Sequence, residues 1–503
     1  MKLKRNRIPK VIHARLLAWA AAPGLAFCGA PDLPAPDPRP NVIFAFSDEH
    51  RLQSLPFTET PELKTPSLER LAREGASFKA FVSNNPLCMP ARTMIMTGRW
   101  PYATRQLENN GAVIEPESQP TLGKVFRAAG YRTCYIGKWH IGMRPEGAGF
   151  DRALVWENTN NHWGSFYRDG AGSRVNYKGY NAAGMTDQAL SFIDESAKAK
   201  APFFMMLAWN PPHAKFTDPP ADTQALYPKE SLRFRPSYQA KAKNREQDLD
   251  NYQGYCAHVT AVDRELGRIL QRLDELKLAG RTVVIYSSDH GSMFGEHGKG
   301  SKRHPEEESI LVPFVARWPG RIPAGFRPEQ LYGTIDIFPT LCGLASLGAP
   351  ATCAGVSAAP ALFGQPVKGP DAQFIMHISN KKEYVKVAED PKAPVFREFF
   401  RGVRTPQYTY AVGVHGPWLL FDNGKDRYQT NNVVGDPAYA PVRAECQKRL
   451  DAFLEEAEYA QVAPDLKAKL AAMSLPDRIA WQNIEAVKFA EKQRDSGAPM
   501  EGE

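Results

Sequence analysis

Three short apolar runs, each followed closely by polar side chains, place the strongest constraint on the fold. They span residues 41–46, 203–208 and 282–287. A continuous apolar run of this length is typical of a parallel strand, because helices cover both faces of a parallel sheet. Folds of this kind bind their ligands at the carboxyl ends of the strands. The sequence therefore predicts an α/β fold with its site at that edge.

Ionisable side chains follow each of these runs. Asp48 and Glu49 come after the first run, and Asp289 and His290 come after the third. Carboxylates at strand ends suit a hard divalent cation, although an aspartate here is equally compatible with capping the next helix. His213 follows the second run behind two prolines that stiffen the turn. It is a candidate general acid or a structural histidine.

The segment Cys88-Met89-Pro90-Ala91-Arg92 predicts the start of a helix beside a nucleophile. Pro90 suits a first helical turn, and Gly98 suits the end of the helix. Arg92 lies four residues after Cys88 and so projects from the same face. A nucleophile, a guanidinium and a helix start together suit a tetrahedral oxyanion. Alone, the segment is also compatible with a buried cysteine beside a surface arginine.

Two loops add cations to this set. Residues 131–142 predict a strand that ends in a loop, where Lys138 and His140 are two residues apart. Lys302 lies in a loop rich in glycine and lysine. A lysine binds an oxyanion as a point charge, although an isolated loop lysine is usually only solvated.

Taken together, these motifs resemble the formylglycine-dependent type I sulfatases of the alkaline phosphatase-like superfamily. The resemblance rests on Cys-x-Pro-x-Arg with a following Thr-Gly-Arg, on the Gly-Lys-Trp-His stretch, and on Ser-Asp-His-Gly. It spans roughly residues 41–435. It implies a large mixed, mostly parallel sheet sandwiched by helices. It also implies a smaller C-terminal α+β domain on a short antiparallel sheet.

The resemblance implies two cofactors. Cys88 would be oxidised to formylglycine (3-oxoalanine) by a maturing enzyme, and the aldehyde hydrate would attack sulfur. One divalent cation, expected to be Ca²⁺, would be held by Asp48, Asp289 and His290. Glu49 and the modified Cys88 complete the expected set of metal ligands.

The resemblance also assigns roles to the remaining site residues. Arg92 would neutralise charge beside the nucleophile, and Lys138 and Lys302 would bind the sulfate oxygens. His213 would protonate the leaving oxygen, a task that Lys302 is also placed to share. His140 would help to free the aldehyde after sulfate transfer.

The chain departs from the family pattern at three positions. Glu49 stands where many relatives have a second aspartate, Glu306 stands at a tyrosine position, and His290 replaces the usual asparagine. A histidine beside the metal aspartate also occurs in relatives that hydrolyse phosphonate or phosphate esters. Such a hydrolase is the alternative activity. A non-catalytic glycan-binding protein is the alternative if Cys88 is not converted.

The N-terminal segment predicts export. Six of the eight excess positive charges and an apolar run at 16–27 lie within residues 1–30, which is typical of a signal peptide. Since the rest of the chain is nearly neutral, the charge does not indicate nucleic-acid binding. The bulky Phe27 argues against lipidation at Cys28. A Pro-rich linker is expected at 31–40, the catalytic domain at 41–374 and the C-terminal domain at 375–503.

Two smaller features bear on substrate and stability. Residues 145–185 form a polar and aromatic insertion, which is either a substrate-facing loop or a surface excursion. With export, it favours a sulfated polysaccharide or oligosaccharide as substrate. Cys342 and Cys353 are close enough in sequence to form a disulfide, which spacing alone does not decide.

Overall fold

The structure is a computed structural model that describes residues 39–109, 114, 119–156, 160–239, 244–378, 399–457, 464–479 and 481. The predicted signal peptide, Cys28 and most of the predicted linker lie outside these residues. Among the helices that are described, none has the length and apolar character needed to cross a membrane.

The described residues contain strands that form one large and two small sheets. The strands are β1 (Asn41–Ser47), β2 (Ala76–Ser77), β3 (Phe81–Val82), β4 (Arg132–Lys138), β5 (Arg152–Trp156), β6 (Phe166–Asp169), β7 (Arg174–Asn176), β8 (Phe203–Ala208), β9 (Thr282–Ser288), β10 (Phe314–Arg317), β11 (Tyr332–Gly333), β12 (Gln373–His377), β13 (Phe400–Arg404), β14 (Tyr408–Gly413) and β15 (Gly416–Asp422). In this part of the chain, the large sheet has nine strands in the order β2-β10-β9-β1-β8-β4-β5-β6-β7. Strands β9, β1, β8, β4 and β5 are parallel, and antiparallel strands flank them on both sides.

Helices cover both faces of the large sheet. The helices are α1 (Pro66–Arg73), α2 (Cys88–Thr97), α3 (Pro101–Thr104), α4 (Leu122–Ala128), α5 (Asn181–Ala199), α6 (Ala221–Gln224), α7 (Arg245–Glu275), α8 (Glu307–Ile310), α9 (Ile337–Leu344), α10 (Ala359–Leu362), α11 (Ala440–Ala457) and α12 (Pro464–Ala471). Alternate residues of β1 point to opposite faces, as strand geometry requires. Val42 and Phe44 belong to a core with α2, α4 and α9, whereas Ile43 and Ala45 belong to a core with α1, α5 and α7. The predicted sandwich is therefore confirmed.

The small antiparallel sheet consists of β12, β13, β14 and β15 in that order. It packs on α11 through Cys446, Leu450 and Leu454, as the predicted C-terminal α+β unit requires. The Asn84 side chain, in the loop between β3 and α2, donates to the carbonyl of Phe374 in β12 at 2.7 Å and so ties this sheet to the start of α2.

At three places the structure decides or extends what the sequence left open. The insertion at 145–185 supplies the strands β5, β6 and β7 that extend the sheet, and Leu154, Trp156 and Tyr167 are buried there. Apolar residues spaced by three and four predict a long amphipathic helix from Tyr255 to Leu276. Helix α7 begins ten residues earlier, at Arg245, because Tyr252 and Leu249 continue its packing. Cys342 and Cys353 are free thiols, so the conceivable disulfide is not formed.

Candidate active site

The carboxyl ends of four neighbouring strands supply the site. Asp48 follows β1, Asp289 and His290 follow β9, Lys138 ends β4, and His213 lies in the loop after β8. Because β9, β1, β8 and β4 are parallel neighbours, their carboxyl ends meet at one edge of the sheet. Sequence segments more than two hundred residues apart are thereby brought together.

Helix α2 presents Cys88 to this edge. The helix begins at Cys88, is buried along its whole length, and ends at Gly98, whose φ of 64° favours glycine. The Cys88 sulfur lies 3.2 Å from His290 Nε2 and 3.8 Å from Asp48 Oδ1. The predicted nucleophile therefore touches two predicted metal ligands.

Four side chains form a group suited to a cation. Asp48, Cys88, Asp289 and His290 each offer a ligand atom, and these atoms lie within 4.8 Å of one another. His290 Nδ1 is 2.9 Å from the Gly291 carbonyl, to which it donates, so the Nε2 lone pair faces the group. Two carboxylates and an oriented imidazole fit a divalent cation.

The Arg92 side chain fixes both carboxylates. Its Nε donates to Asp289 at 2.8 Å, one terminal nitrogen donates to Asp48 at 3.0 Å, and the other donates to the Lys138 carbonyl at 2.9 Å. The guanidinium is 1% exposed. Arg92 and Cys88 are four residues apart and project from the same face of α2. The guanidinium therefore lies beside the side chains suited to a cation.

Two lysines contribute positive charge. Lys138 Nζ lies 2.7 Å from Asp48 Oδ2. Lys302 Nζ pairs with the Glu49 carboxylate, whose other neighbour is His213 Nε2 at 3.4 Å. The Glu49 carboxylate thus lies in a separate group with Asp48 and His213. Its role as a metal ligand stays a prediction.

The two predicted catalytic histidines differ in their hydrogen-bond partners. His213 donates from Nδ1 to the Ala214 carbonyl at 2.8 Å, which turns Nε2 toward Glu49. Its side chain is 14% exposed, whereas those of Asp48, Asp289 and His290 are 0% exposed. His140 hydrogen-bonds to Cys88, and burial lowers the pKa of its imidazole to about 4. At neutral pH His140 is therefore an uncharged group beside the sulfur.

Charges around Cys88 favour an anion at this position. Burial acts to raise the pKa of the Cys88 thiol, but Lys302, Lys138 and His290 together lower it well below its ordinary value. Burial and the Asp48 charge raise the pKa of Asp289. Two buried carboxylates and an anionic group at position 88 place concentrated negative charge where a cation is expected.

The sequence did not reveal the side chain that caps α2. Asn109 Oδ1 accepts the backbone N–H of Met89 at 3.1 Å, Pro90 has no N–H, and the N–H of Ala91 bonds to the Leu87 carbonyl. Few helical N–H groups are thus left for an oxyanion, so lysine and arginine side chains supply most of the positive charge. Asn109 follows no recognisable pattern, and only its three-dimensional position identifies it.

Family models match most of the chain. The model described as Sulfatase matches residues 40–347, and the model described as N-sulphoglucosamine sulphohydrolase, C-terminal, matches residues 295–457. The chain belongs to the sulfatase family. Because its relatives include sulfatases that are named for their activity on carbohydrates, this sulfatase is a sulfuric ester hydrolase.

Known relatives of this sulfatase cover most of its length. It is 31% identical to the ulvan-active sulfatase of Formosa agariphila, over 83% of this chain and 81% of the relative. It is 30% identical to an endo-4-O-sulfatase of Bacteroides thetaiotaomicron, over 78% of this chain and 88% of the relative. A solved structure in complex with its substrate D-glucosamine-2-N,6-O-disulfate matches with a TM-score of 0.73 and 23% identity, covering 84% and 98% of the two chains. That structure confirms the fold.

Proposed function

We propose that this sulfatase hydrolyses a sulfate ester on a carbohydrate, using formylglycine made from Cys88 and one divalent cation. The observation that carries the proposal is the contact of Cys88 with His290 and Asp48 at the start of α2. The group that would be converted lies among the residues that would hold the cation. Ordinary buried cysteines, such as Cys134, have no such neighbours, and burial raises the pKa of the Cys134 thiol.

The residues of the site divide the work of ester hydrolysis. The aldehyde hydrate at position 88 would supply the nucleophile, and a bound cation would withdraw charge from the sulfate oxygens. Lys138 and Lys302 bind those oxygens, which stabilises charge in the transition state. Arg92 orients Asp48 and Asp289. His213, whose side chain is partly exposed, donates a proton from Nε2 to the leaving oxygen.

The state of Cys88 is the first test. Mass spectrometry of the peptide that contains Cys88, from protein made in its native host, is expected to show the aldehyde or its hydrate. A quantitatively unmodified thiol would contradict the formylglycine mechanism. It would favour the non-catalytic glycan-binding alternative.

The cation is proposed to be Ca²⁺, because Asp48 and Asp289 offer hard carboxylate oxygens. The imidazole of His290 is a ligand more typical of transition metals. Elemental analysis of the purified protein, followed by chelation and reconstitution with Ca²⁺, Mg²⁺, Mn²⁺ or Zn²⁺, distinguishes these ions. Restoration by Mn²⁺ or Zn²⁺ but not by Ca²⁺ would contradict the calcium assignment and leave the cation group itself supported.

Curated relatives support a sulfated carbohydrate as substrate. They include the ulvan-active sulfatase and an N-acetylglucosamine-6-O-sulfatase of Bacteroides thetaiotaomicron. Wild-type enzyme is to be screened against ulvan oligosaccharides, N-acetylglucosamine 6-sulfate, N-acetylgalactosamine 6-sulfate and 4-nitrophenyl sulfate. Release of sulfate from at least one sugar is expected. Activity confined to the aryl ester would contradict the carbohydrate assignment.

His290 supports a second candidate activity, the hydrolysis of phosphonate or phosphate esters. An imidazole beside the metal aspartate is the one feature of the site that favours it over the sulfatase chemistry. The ratio of kcat/KM for 4-nitrophenyl sulfate to that for a 4-nitrophenyl phosphonate ester decides between them. A ratio above one supports the sulfate ester as the main substrate.

Export is proposed from the sequence of residues 1–30 and a requirement to meet extracellular polysaccharide. N-terminal sequencing of mature protein from the native host tests it. An intact N-terminus in the cytoplasmic fraction would contradict export.

A further inference from the structure

A buried network of two histidines and an aspartate lies beside the loop that carries His213. It consists of His162, Asp218 and His258, whose side-chain ligand atoms lie within 4.8 Å of one another. His162 Nδ1 is 2.7 Å from Asp218 Oδ1, and its Nε2 is 3.2 Å from the amide nitrogen of Asn210. Because that amide nitrogen donates, Nε2 accepts and Nδ1–H donates to the carboxylate.

The second histidine of the network is also saturated with hydrogen bonds. His258 Nε2 donates to the Lys215 carbonyl at 3.1 Å, and its Nδ1 accepts from the Tyr180 hydroxyl at 2.7 Å. Each of the four ring nitrogens therefore has a protein partner. The His162–Asp218–His258 group is accordingly a hydrogen-bond network that braces the backbone, and neither imidazole has a ring nitrogen left for a metal.

This network fastens two chain segments to each other. The indole N–H of Trp163 donates to the Asp218 carbonyl at 2.7 Å, and Lys215 Nζ donates to Asn161 Oδ1 at 3.3 Å. Residues 161–163 therefore lie alongside residues 210–218, the segment that presents His213. Trp163 and Lys215 are thereby held next to the segment that carries the proposed general acid.

Trp163 is exposed although it is firmly held. Its side chain is 46% exposed, and it is the only aromatic residue among the exposed large hydrophobic residues of the described chain. Its ring packs against Tyr180 at 5.4 Å between centroids, and its N–H is bonded, so the indole has little freedom to turn. A rigid exposed indole offers a flat apolar face at small entropic cost.

The partial exposure of His213 indicates on which side of the site the substrate extends. The side chain of His213 is partly exposed, whereas the cation group behind it is buried. A leaving oxygen that receives its proton from His213 must belong to a sugar that lies on this side. The next unit of an oligosaccharide would extend outward past Trp163 and the exposed ammonium of Lys215.

We propose that Trp163 and Lys215 form a sugar-binding subsite beside His213 for an anionic oligosaccharide. The apolar face of one sugar unit packs on the indole, and its carboxylate or second sulfate pairs with Lys215. This inference rests on the proposed function, because it assigns an oligosaccharide rather than a single sugar to the same site. It makes the enzyme selective for chains that carry negative charge next to the cleaved ester.

The test compares substrates of two sizes in the full-length, cation-loaded enzyme. Trp163→Ala is expected to lower kcat/KM for the best oligosaccharide of the screen by about 10-fold or more, relative to its effect on 4-nitrophenyl sulfate. Trp163→Phe, which keeps a ring, is expected to retain most of the selectivity. Lys215→Gln is expected to lower kcat/KM for the oligosaccharide, relative to 4-nitrophenyl sulfate, by about 5-fold at low salt and by less at high salt.

Val356→Ala is a matched control. Val356 is 50% exposed and lies in the segment that packs on Gly98, at the end of α2 opposite Cys88. It is expected to leave the substrate ratio unchanged. Equal losses on both substrates in Trp163→Ala would show that the tryptophan is structural and would overturn the subsite. Wild-type activity of Trp163→Ala on both substrates would also overturn it. A wild type with no sulfate release from any substrate would instead refute the proposed function.

Discussion

Arg92→Lys tests whether the guanidinium fork organises the cation group. Arg92 makes three hydrogen bonds, two of them to Asp48 and Asp289, which are 0% exposed. Lysine keeps the charge but is a single point donor, so it loses at least two of these bonds. Hydrogen bonds to charged groups contribute about 1.5–3 kcal/mol each, which gives a loss of about 3–6 kcal/mol.

The assay is urea denaturation followed by tryptophan fluorescence, with chelator and with the restored cation. We expect the loss in the free energy of unfolding to be larger with chelator, because a bound cation would partly neutralise the carboxylates that lysine leaves unpaired. If half of the loss reaches the transition state, kcat/KM falls by about 10- to 150-fold. Turnover is measured on 4-nitrophenyl sulfate under saturating cation.

Arg70→Lys is the matched control for this change. Arg70 also bonds two carboxylates, Glu74 at 2.9 Å and Asp274 at 2.7 Å, but its side chain is 30% exposed. Exposed pairs of this kind contribute below about 1 kcal/mol. The reasoning is refuted if Arg92→Lys loses no more stability than Arg70→Lys, or if it keeps the wild-type kcat/KM.

Three further changes test the proton and packing assignments. Burial raises the pKa of Asp263 to about 7, although the carboxylate accepts hydrogen bonds from two N–H groups of α1, so its ionisation costs stability as pH rises. The free energy of unfolding of Asp263→Asn is therefore expected to gain about 2–3 kcal/mol on that of wild type as the pH rises from 5 to 8. A difference in denaturation that does not change with pH contradicts this. His213→Ala is expected to lower kcat about 10²- to 10⁴-fold on a sugar sulfate but far less on 4-nitrophenyl sulfate, whose leaving group needs no proton; equal losses would exclude a general acid. A Cβ at Gly254 would lie 1.7 Å from the Phe216 carbonyl oxygen, so Gly254→Ala is expected to lose about 1–3 kcal/mol in urea denaturation, whereas Gly280→Ala, with open space around it, should not.

The central strands and the residues after them were predictable because local pattern decides them. The runs at 41–46, 203–208 and 282–287 are apolar on both faces, and only a central parallel strand buries both faces. Once those strands are parallel neighbours, Asp48 and Asp289 must meet. The same holds for Cys88 and Arg92, whose relation is fixed by one turn of helix.

The remaining features depend on contacts that no local pattern encodes. Asn109 caps α2 across twenty residues, and Trp163 bonds to Asp218 across fifty-five. The insertion at 145–185 looked like a loop because its strands are short and separated by polar turns. Its place in the sheet follows from β5 pairing with β4, which the sequence of either strand alone does not show.

Glu49 shows how a single strand end can serve both halves of the proposed chemistry. Its φ of 69° lies in the left-handed region, which is strained for a glutamate, and the Tyr255 hydroxyl holds its carbonyl at 3.1 Å. That turn lets Asp48 face the cation group while Glu49 faces Lys302 and His213. Burial acts to raise the pKa of Glu49, but Lys302 and His213 outweigh it, so the carboxylate stays ionised. An aspartate at this position has a shorter arm. The glutamate in place of the family's second aspartate therefore gives this chain a direct link between the lysine proposed to bind sulfate and the proposed proton donor.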